Sequence, residues 1–200
     1  MSAEPKLGLV VMAYGTPRTT EDIEPYYTHI RRGRAPEPQQ LADLISRYDA
    51  IGGISPLASL TEAQRAALES ALESRMPGAW NVVLGQKHAT PFIEDGVAEL
   101  ADAGITEAVG LVLAPHFSGF SVGEYQRRAA EAGIERGLTM HGINNWHLEQ
   151  AYLDFLTAAV RDALTELPER TTVLFTAHSL PERVLENDPY PEELAASATY

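Results

Sequence analysis

Five short apolar runs punctuate the chain. Leu7 to Ala13 (LGLVVMA) is dense in branched residues and closed by Gly15 and Pro17, the pattern of a strand buried on both faces. Asn81 to Leu84, Ala108 to Ala114, Leu138 to His141 and Thr171 to Ala177 repeat it with varying strength. Between the runs, apolar positions recur at helical spacing. Thr61 to Met76 stops at Pro77 and Gly78, Phe92 to Ala103 at Gly104, Ser121 to Ala132 at Gly133, and Leu148 to Leu167 at Pro168. This alternation predicts an α/β fold, a parallel sheet with flanking helices, in which ligands lie outside the carboxyl ends of the strands.

Residues 16–60 break the rhythm. The stretch is too long for a simple crossover and carries Pro17, Pro25, Pro36, Pro38, Gly52, Gly53 and Pro56. A partly helical insertion is expected there, with helices over Asp22 to Arg32 and Pro38 to Tyr48, shaping a ligand cleft. A weak internal repeat adds a second organisational signal. Val11-Met12-Ala13-Tyr14-Gly15-Thr16-Pro17 aligns with Phe175-Thr176-Ala177-His178-Ser179-Leu180-Pro181, each a strand end, an Ala, a ring residue, a turn and a Pro. Two related α/β halves are expected, residues 1–168 and the start of a second at 169–200, each presenting one ring residue to a shared cleft. On that reading the second half is incomplete in this chain, which is expected to be an amino-terminal portion.

Composition narrows the chemistry. The 200 residues contain no cysteine, so a disulfide, a thiolate metal site and a cysteine nucleophile are excluded from this stretch. No run of eighteen apolar residues occurs, and Glu4, Pro5 and Lys6 sit where an export signal needs an apolar stretch. A cytoplasmic protein without membrane insertion is expected. The net charge of −13 argues against a nucleic-acid partner and requires any anionic ligand to find a local cationic site. Arg31, Arg32 and Arg34, with Arg47 in the next helix, supply one, since guanidinium forks suit carboxylate or phosphate.

His178 and Tyr14 are the leading candidates for chemistry, each following an apolar run and preceding a Pro-containing turn. An imidazole there can ligate a metal or move a proton, and a phenol can ligate iron as its phenolate. His88 and His116 also follow strands, where a structural role competes with a functional one. Gly52-Gly53-Ile54-Ser55-Pro56 offers backbone for close approach to a flat ligand, but no phosphate-binding glycine motif is present. Gly119-Phe120-Ser121-Val122-Gly123 matches the nucleophile elbow GxSxG of α/β hydrolases. Pro115 to Ser118 separate it from the preceding strand, where the elbow belongs at the strand end.

Six collinear stretches together carry a resemblance: MAYGTP (12–17), YYTHIRRGR (26–34), YDAIGGISPL (48–57), PFIEDGV (91–97), LAPHFS (113–118) and TAHSLPERV (176–184). They closely resemble the ferrochelatases, and within them the soluble Gram-positive-type branch that acts on coproporphyrin III. The resemblance implies a chelatase-like fold of two Rossmann-like halves. It also implies insertion of ferrous iron (Fe2+, the substrate metal) into coproporphyrin III for heme biosynthesis, with no organic cofactor and a monomeric state. By the same resemblance His178 ligates the incoming iron and accepts a pyrrole proton. Tyr14 binds iron from the other macrocycle face, and Arg31, Arg47, Tyr48, Ser55 and Tyr125 hold the macrocycle and its propionates. The family's partner glutamate for the histidine is not found in these 200 residues, so weak or absent turnover is expected of this chain alone. A non-catalytic porphyrin- or heme-binding module is the alternative from another class, and a serine hydrolase through Ser121 a distant third. A cobalt chelatase shares the architecture, but HIRRGR and GGISPL favour the iron branch.

Overall fold

The computed structural model describes residues 6–200. Four strands, β1 (Leu7–Ala13), β2 (Trp80–Gln86), β3 (Glu107–Val112) and β4 (Thr139–Ile143), form one sheet in the order β2-β1-β3-β4. β1 pairs in parallel with both neighbours, Val11 lying opposite Leu84 on one side and Leu111 on the other. Its central position explains the unbroken apolar run: Val10, Val11 and Met12 are all fully buried. Leu9 and Val11 point to one face, where they pack with Val82 against Leu68 and Leu72. Val10 points to the other, towards Gly85 and Gly96.

The helices follow their sequence patterns closely. α1 (Ile23–Ile30) and α2 (Pro38–Ala50) occupy the expected insertion, followed by α3 (Leu57–Arg75), α4 (Ile93–Asp102), α5 (Val122–Arg136) and α6 (Gln150–Thr165). Short helices α7 (Glu182–Leu185) and α8 (Tyr190–Ala198) end the chain. α4 buries Ile93, Gly96, Val97 and Leu100, the one-face spacing of a helix laid on a sheet. Gly96 permits the contact: a Cβ there would stand 2.8 Å from the Leu84 carbonyl oxygen. α5 buries Val122, Tyr125, Ala129 and Ala132 in the same way.

One expected strand is not formed. Residues 171–180 are irregular, and Leu174 and Phe175 are 80% and 64% exposed. A strand needs neighbours to accept its ladder hydrogen bonds, and none pairs with this run among the described residues. The chain divides into two compact units. The first runs to Leu113 and takes in Tyr125–Gly142; the second comprises Ala114–Glu124 and Ile143–Tyr200. No helix among the described residues is long and apolar enough to cross a membrane.

Candidate active site

In the first unit the carboxyl ends of β1 and β2 are stitched together beyond the sheet. Lys87 donates its backbone N–H to Ala13 O at 2.8 Å, and His88 donates to Tyr14 O at 3.0 Å. Gly15, at φ 89°, makes the turn out of β1, and a Cβ there would stand 2.9 Å from Ala89. Tyr14 is thereby held at the rim, 45% exposed, its ring 4.7 Å from that of His88. A cleft of about 240 Å³ opens alongside, lined by Thr16, Asp22, Tyr26, His29, His88 and Phe92 among others.

The insertion supplies the other wall. Tyr26, on α1, donates its hydroxyl to Gly15 O at 3.4 Å. Burial, helped by the neighbouring phenols of Tyr14 and Tyr48, pushes its ionisation well above the ordinary tyrosine range. Tyr26 is therefore a neutral donor and not a phenolate. Tyr48, at the end of α2, brings its hydroxyl within 3.5 Å of Thr16 Oγ1. His29 stacks on Phe92 at 4.9 Å and places its Nδ1 3.0 Å from His88 Nδ1.

Beneath His88 an ion pair fixes the loop. Arg128 on α5 forks onto Glu94, Nε to Oε1 and Nη2 to Oε2 both at 2.7 Å, and its Nη1 donates to Lys87 O at 3.0 Å. Burial alone would raise the Glu94 carboxyl, but the hydrogen bonds from Arg128 and the backbone outweigh it and hold Glu94 below the usual carboxylate range. The Lys87 ammonium lies 5.2 Å above the ring of Tyr125, a cation–π contact.

The expected binding residues occupy distinct positions within this unit. Arg31 caps α1, its guanidinium 5.4 Å from the Tyr27 ring and its Nε bonded to Arg34 O. Arg32 and Gly33, at φ 58° and 82°, form the tight turn that gathers the arginines. Arg47 is exposed on α2, with Nε 3.3 Å from Asp43 O. Ser55 caps the next helix by accepting the Leu57 N–H, and it lines a shallow hollow with Arg18, Ile54 and Glu62. Gly52 and Gly53 serve a left-handed turn at φ 92° and 111°, with open space where their side chains would be. Tyr125 is buried at 5% exposure, under Lys87.

The second unit contains His178, exposed on the irregular segment ahead of α7. Its neighbours Phe175, Thr176 and Ala177 join His116, Tyr152 and Leu156 in lining a hollow of about 400 Å³. Glu193, buried on α8, accepts the Phe117 N–H at 2.6 Å and the side-chain amide of Asn145. His147 Nδ1 lies 3.4 Å from Glu193 Oε2 but makes no hydrogen bond, so proximity is all that this pair provides. His116 Nε2 lies 2.9 Å from Ser197 Oγ; burial and the adjacent His147 push its ionisation down, partly offset by Glu193. The GFSVG loop is held by Asp188, which accepts from Ser118 Oγ and the Gly119 N–H. Residues 113–118 separate β3 from Gly119, so no strand-to-helix elbow presents Ser121, and the hydrolase reading lacks its defining geometry.

Sequence reasoning singled out Tyr14, Tyr48 and His88 and missed Tyr26, His29 and the Arg128–Glu94 fork that surround them. His29 and Tyr26 fall inside YYTHIRRGR, where the arginines carry the stronger charge signal, and the fork joins residues 34 positions apart.

A parallel α/β sheet whose strand ends carry an aromatic and imidazole cleft, with Arg18 in its lining, defines a binding fold of Rossmann-like type. The ferrochelatase family model matches residues 6–200, and the chain belongs to that family. It is 50% identical over 200 residues to the coproporphyrin III ferrochelatase of Bacillus subtilis (strain 168), covering 96% of this chain and 64% of that protein. It is similarly 47% identical over 199 residues to the coproporphyrin III ferrochelatase of Oceanobacillus iheyensis, and 48% over 202 residues to coproporphyrin III ferrochelatase 1 of Bacillus anthracis. The chain thus spans a little under two thirds of the length of these curated relatives.

Proposed function

We propose that this chain serves the insertion of ferrous iron into coproporphyrin III, with release of two pyrrole protons. The observation that carries the reading is Tyr14, exposed at the carboxyl end of the central strand beside His88 of the cleft lining and held there by bonds that join β1 to β2. A phenol at that rim can ligate iron from one face of a macrocycle. His178, in the TAHSLP stretch, ligates the incoming iron and takes up a pyrrole proton as base. Arg31 and Arg47 supply positive charge for propionates within a chain of net charge −13. Tyr48, Ser55 and Tyr125 complete the contacts to the macrocycle and its propionates, with Tyr48 reaching Thr16 of the cleft lining and Tyr125 lying under the Lys87 ammonium. The proposal includes the two halves at 1–168 and from 169 onward, a cytoplasmic and monomeric state, and no organic cofactor.

Anaerobic absorbance with coproporphyrin III, before and after ferrous iron, tests this directly. Loss of the free-base bands in the wild type, and roughly a hundredfold slower or absent loss in His178→Ala, supports the reading. Porphyrin binding with no metallation in any variant would mean that these residues make a binding cleft without turnover, which fits both the weak or absent turnover expected of this stretch alone and a non-catalytic porphyrin-binding module. Absence of porphyrin binding would contradict both.

A further inference from the structure

His29 and His88 face one another through the same ring atom. Their Nδ1 atoms are 3.0 Å apart, close enough for one imidazole to donate its Nδ1 proton to the other. That separation has a second meaning. Two ligands in adjacent positions on a divalent transition ion, with metal–nitrogen bonds of about 2.0–2.1 Å, stand ~2.9 Å apart at a right angle and ~3.3 Å apart at the tetrahedral angle. The observed distance lies between these values.

The frame around the pair is built from both sides. His29 is stacked on Phe92 with an interplanar angle of 22°, which supports one face of its ring. His88 is tilted against Tyr14, and its backbone N–H is tied to Tyr14 O. Arg128, bound to Glu94, holds the carbonyl of the preceding residue, Lys87. The backbone that carries His88 is therefore placed by the fold, and the two rings meet within a built frame that leaves their tilt about χ2 to adjust. Both rings also line the open cleft beside Tyr14, so a hydrated ion has access. Among the described residues no third His, Cys, Asp or Glu completes a closed cage. Two imidazoles with water in the other positions make a site from which an ion can leave.

We propose that His29 and His88 bind a divalent transition metal through their Nδ1 atoms. The ring that now donates its Nδ1 proton returns it to solvent and takes one at Nε2, so both imidazoles ligate in the neutral form with no net proton released. Each ring turns about χ2, a broad torsion for histidine, to aim its lone pair at the common ion instead of at its partner. Placing such an ion beside Tyr14 makes the pair a staging point for the substrate metal. That role rests on the function proposed above, whereas the binding itself does not.

The test uses Co2+ alone, anaerobically and without porphyrin, on the full 200-residue chain carrying His178→Ala and Tyr14→Phe so that the other candidate ligands are silent. The expected result is saturable binding with visible d–d bands, and long-range proton–nitrogen NMR showing Nδ1 coordination at both rings. His29→Asn and His88→Asn are each expected to weaken binding by roughly tenfold or more. Asn can replace the hydrogen bond but not the imidazole ligand, which guards the fold; a matching far-UV spectrum checks it. Should either variant unfold, the NMR of the parent decides. Unchanged affinity in both folded variants, coordination through Nε2, or no binding at millimolar Co2+ would overturn the proposal. Because no porphyrin is present, failure of the chelatase reading leaves this result untouched.

Discussion

Residues 11–17 and 175–181 read alike in sequence and fold in opposite ways. The first is the end of a central strand, with Val11 and Met12 fully buried between two neighbours, and it sets Tyr14 beside His88, which lines a cleft. The second lies in an irregular segment with Leu174 80% exposed, and it carries His178 in solvent. Local pattern is shared; ladder partners are not. An apolar run gains about 1.5–3 kcal/mol per large side chain only when something covers it, and its amides stay unsatisfied unless a neighbouring strand accepts them. Position in the sheet, more than composition, separates these two copies of one motif.

Substitution at matched positions breaks the comparison most severely. Val11→Asp places an unpaired charge between two strands and is expected to abolish cooperative folding, whereas Phe175→Asp, at a position 64% exposed, should change stability by less than about 0.5 kcal/mol. Urea denaturation followed by circular dichroism measures both, and comparable losses at the two sites would contradict the contrast. Met12→Ala is the milder version, with an expected cost of about 2–5 kcal/mol from the lost burial and the cavity left behind.

The fork beneath His88 sharpens what positions the first copy of the motif. Glu94→Gln should cost about 1 kcal/mol, a value kept small because the Glu94 side chain is 42% exposed. Since the folded carboxyl ionises below its ordinary range, the stabilisation is full above the unfolded value and is lost as pH falls through the lower folded value. Urea midpoints of wild type and Glu94→Gln should therefore converge in acid and separate near neutrality. Parallel midpoints at all pH values would remove the fork from this role.

The smallest effect belongs to the second unit. His116 is held neutral by burial, so its contribution is complete above the ordinary histidine value of 6.5 and declines as pH falls from there through the lowered folded value. Amide exchange at Phe117, whose N–H is bonded to Glu193, should quicken a few-fold over that window. His116→Gln should flatten the dependence.

Much of this arrangement was legible before any coordinates. The strands at Leu7–Ala13 and Trp80–Gln86 and the helices Pro38–Ala50 and Ile93–Asp102 follow from apolar periodicity and Pro or Gly punctuation, because burial is decided by spacing along the chain. The Thr171 to Ala177 run misled for the same reason: periodicity reports what a segment can bury, not whether a partner is present. Within the site, Tyr14 was readable because strand exits face the ligand end of a parallel sheet. The His29–His88 contact and the Arg128–Glu94 fork were not, since each joins residues brought together by tertiary packing, 59 and 34 positions apart.

Tyr14 as an iron ligand at the strand exit is the central claim, and resonance Raman of the chain with iron coproporphyrin III tests it most directly. Tyrosinate–iron modes in the wild type that vanish in Tyr14→Phe, with the porphyrin still bound, are the expected result. The same modes surviving in Tyr14→Phe, or never appearing in the wild-type complex, would contradict it.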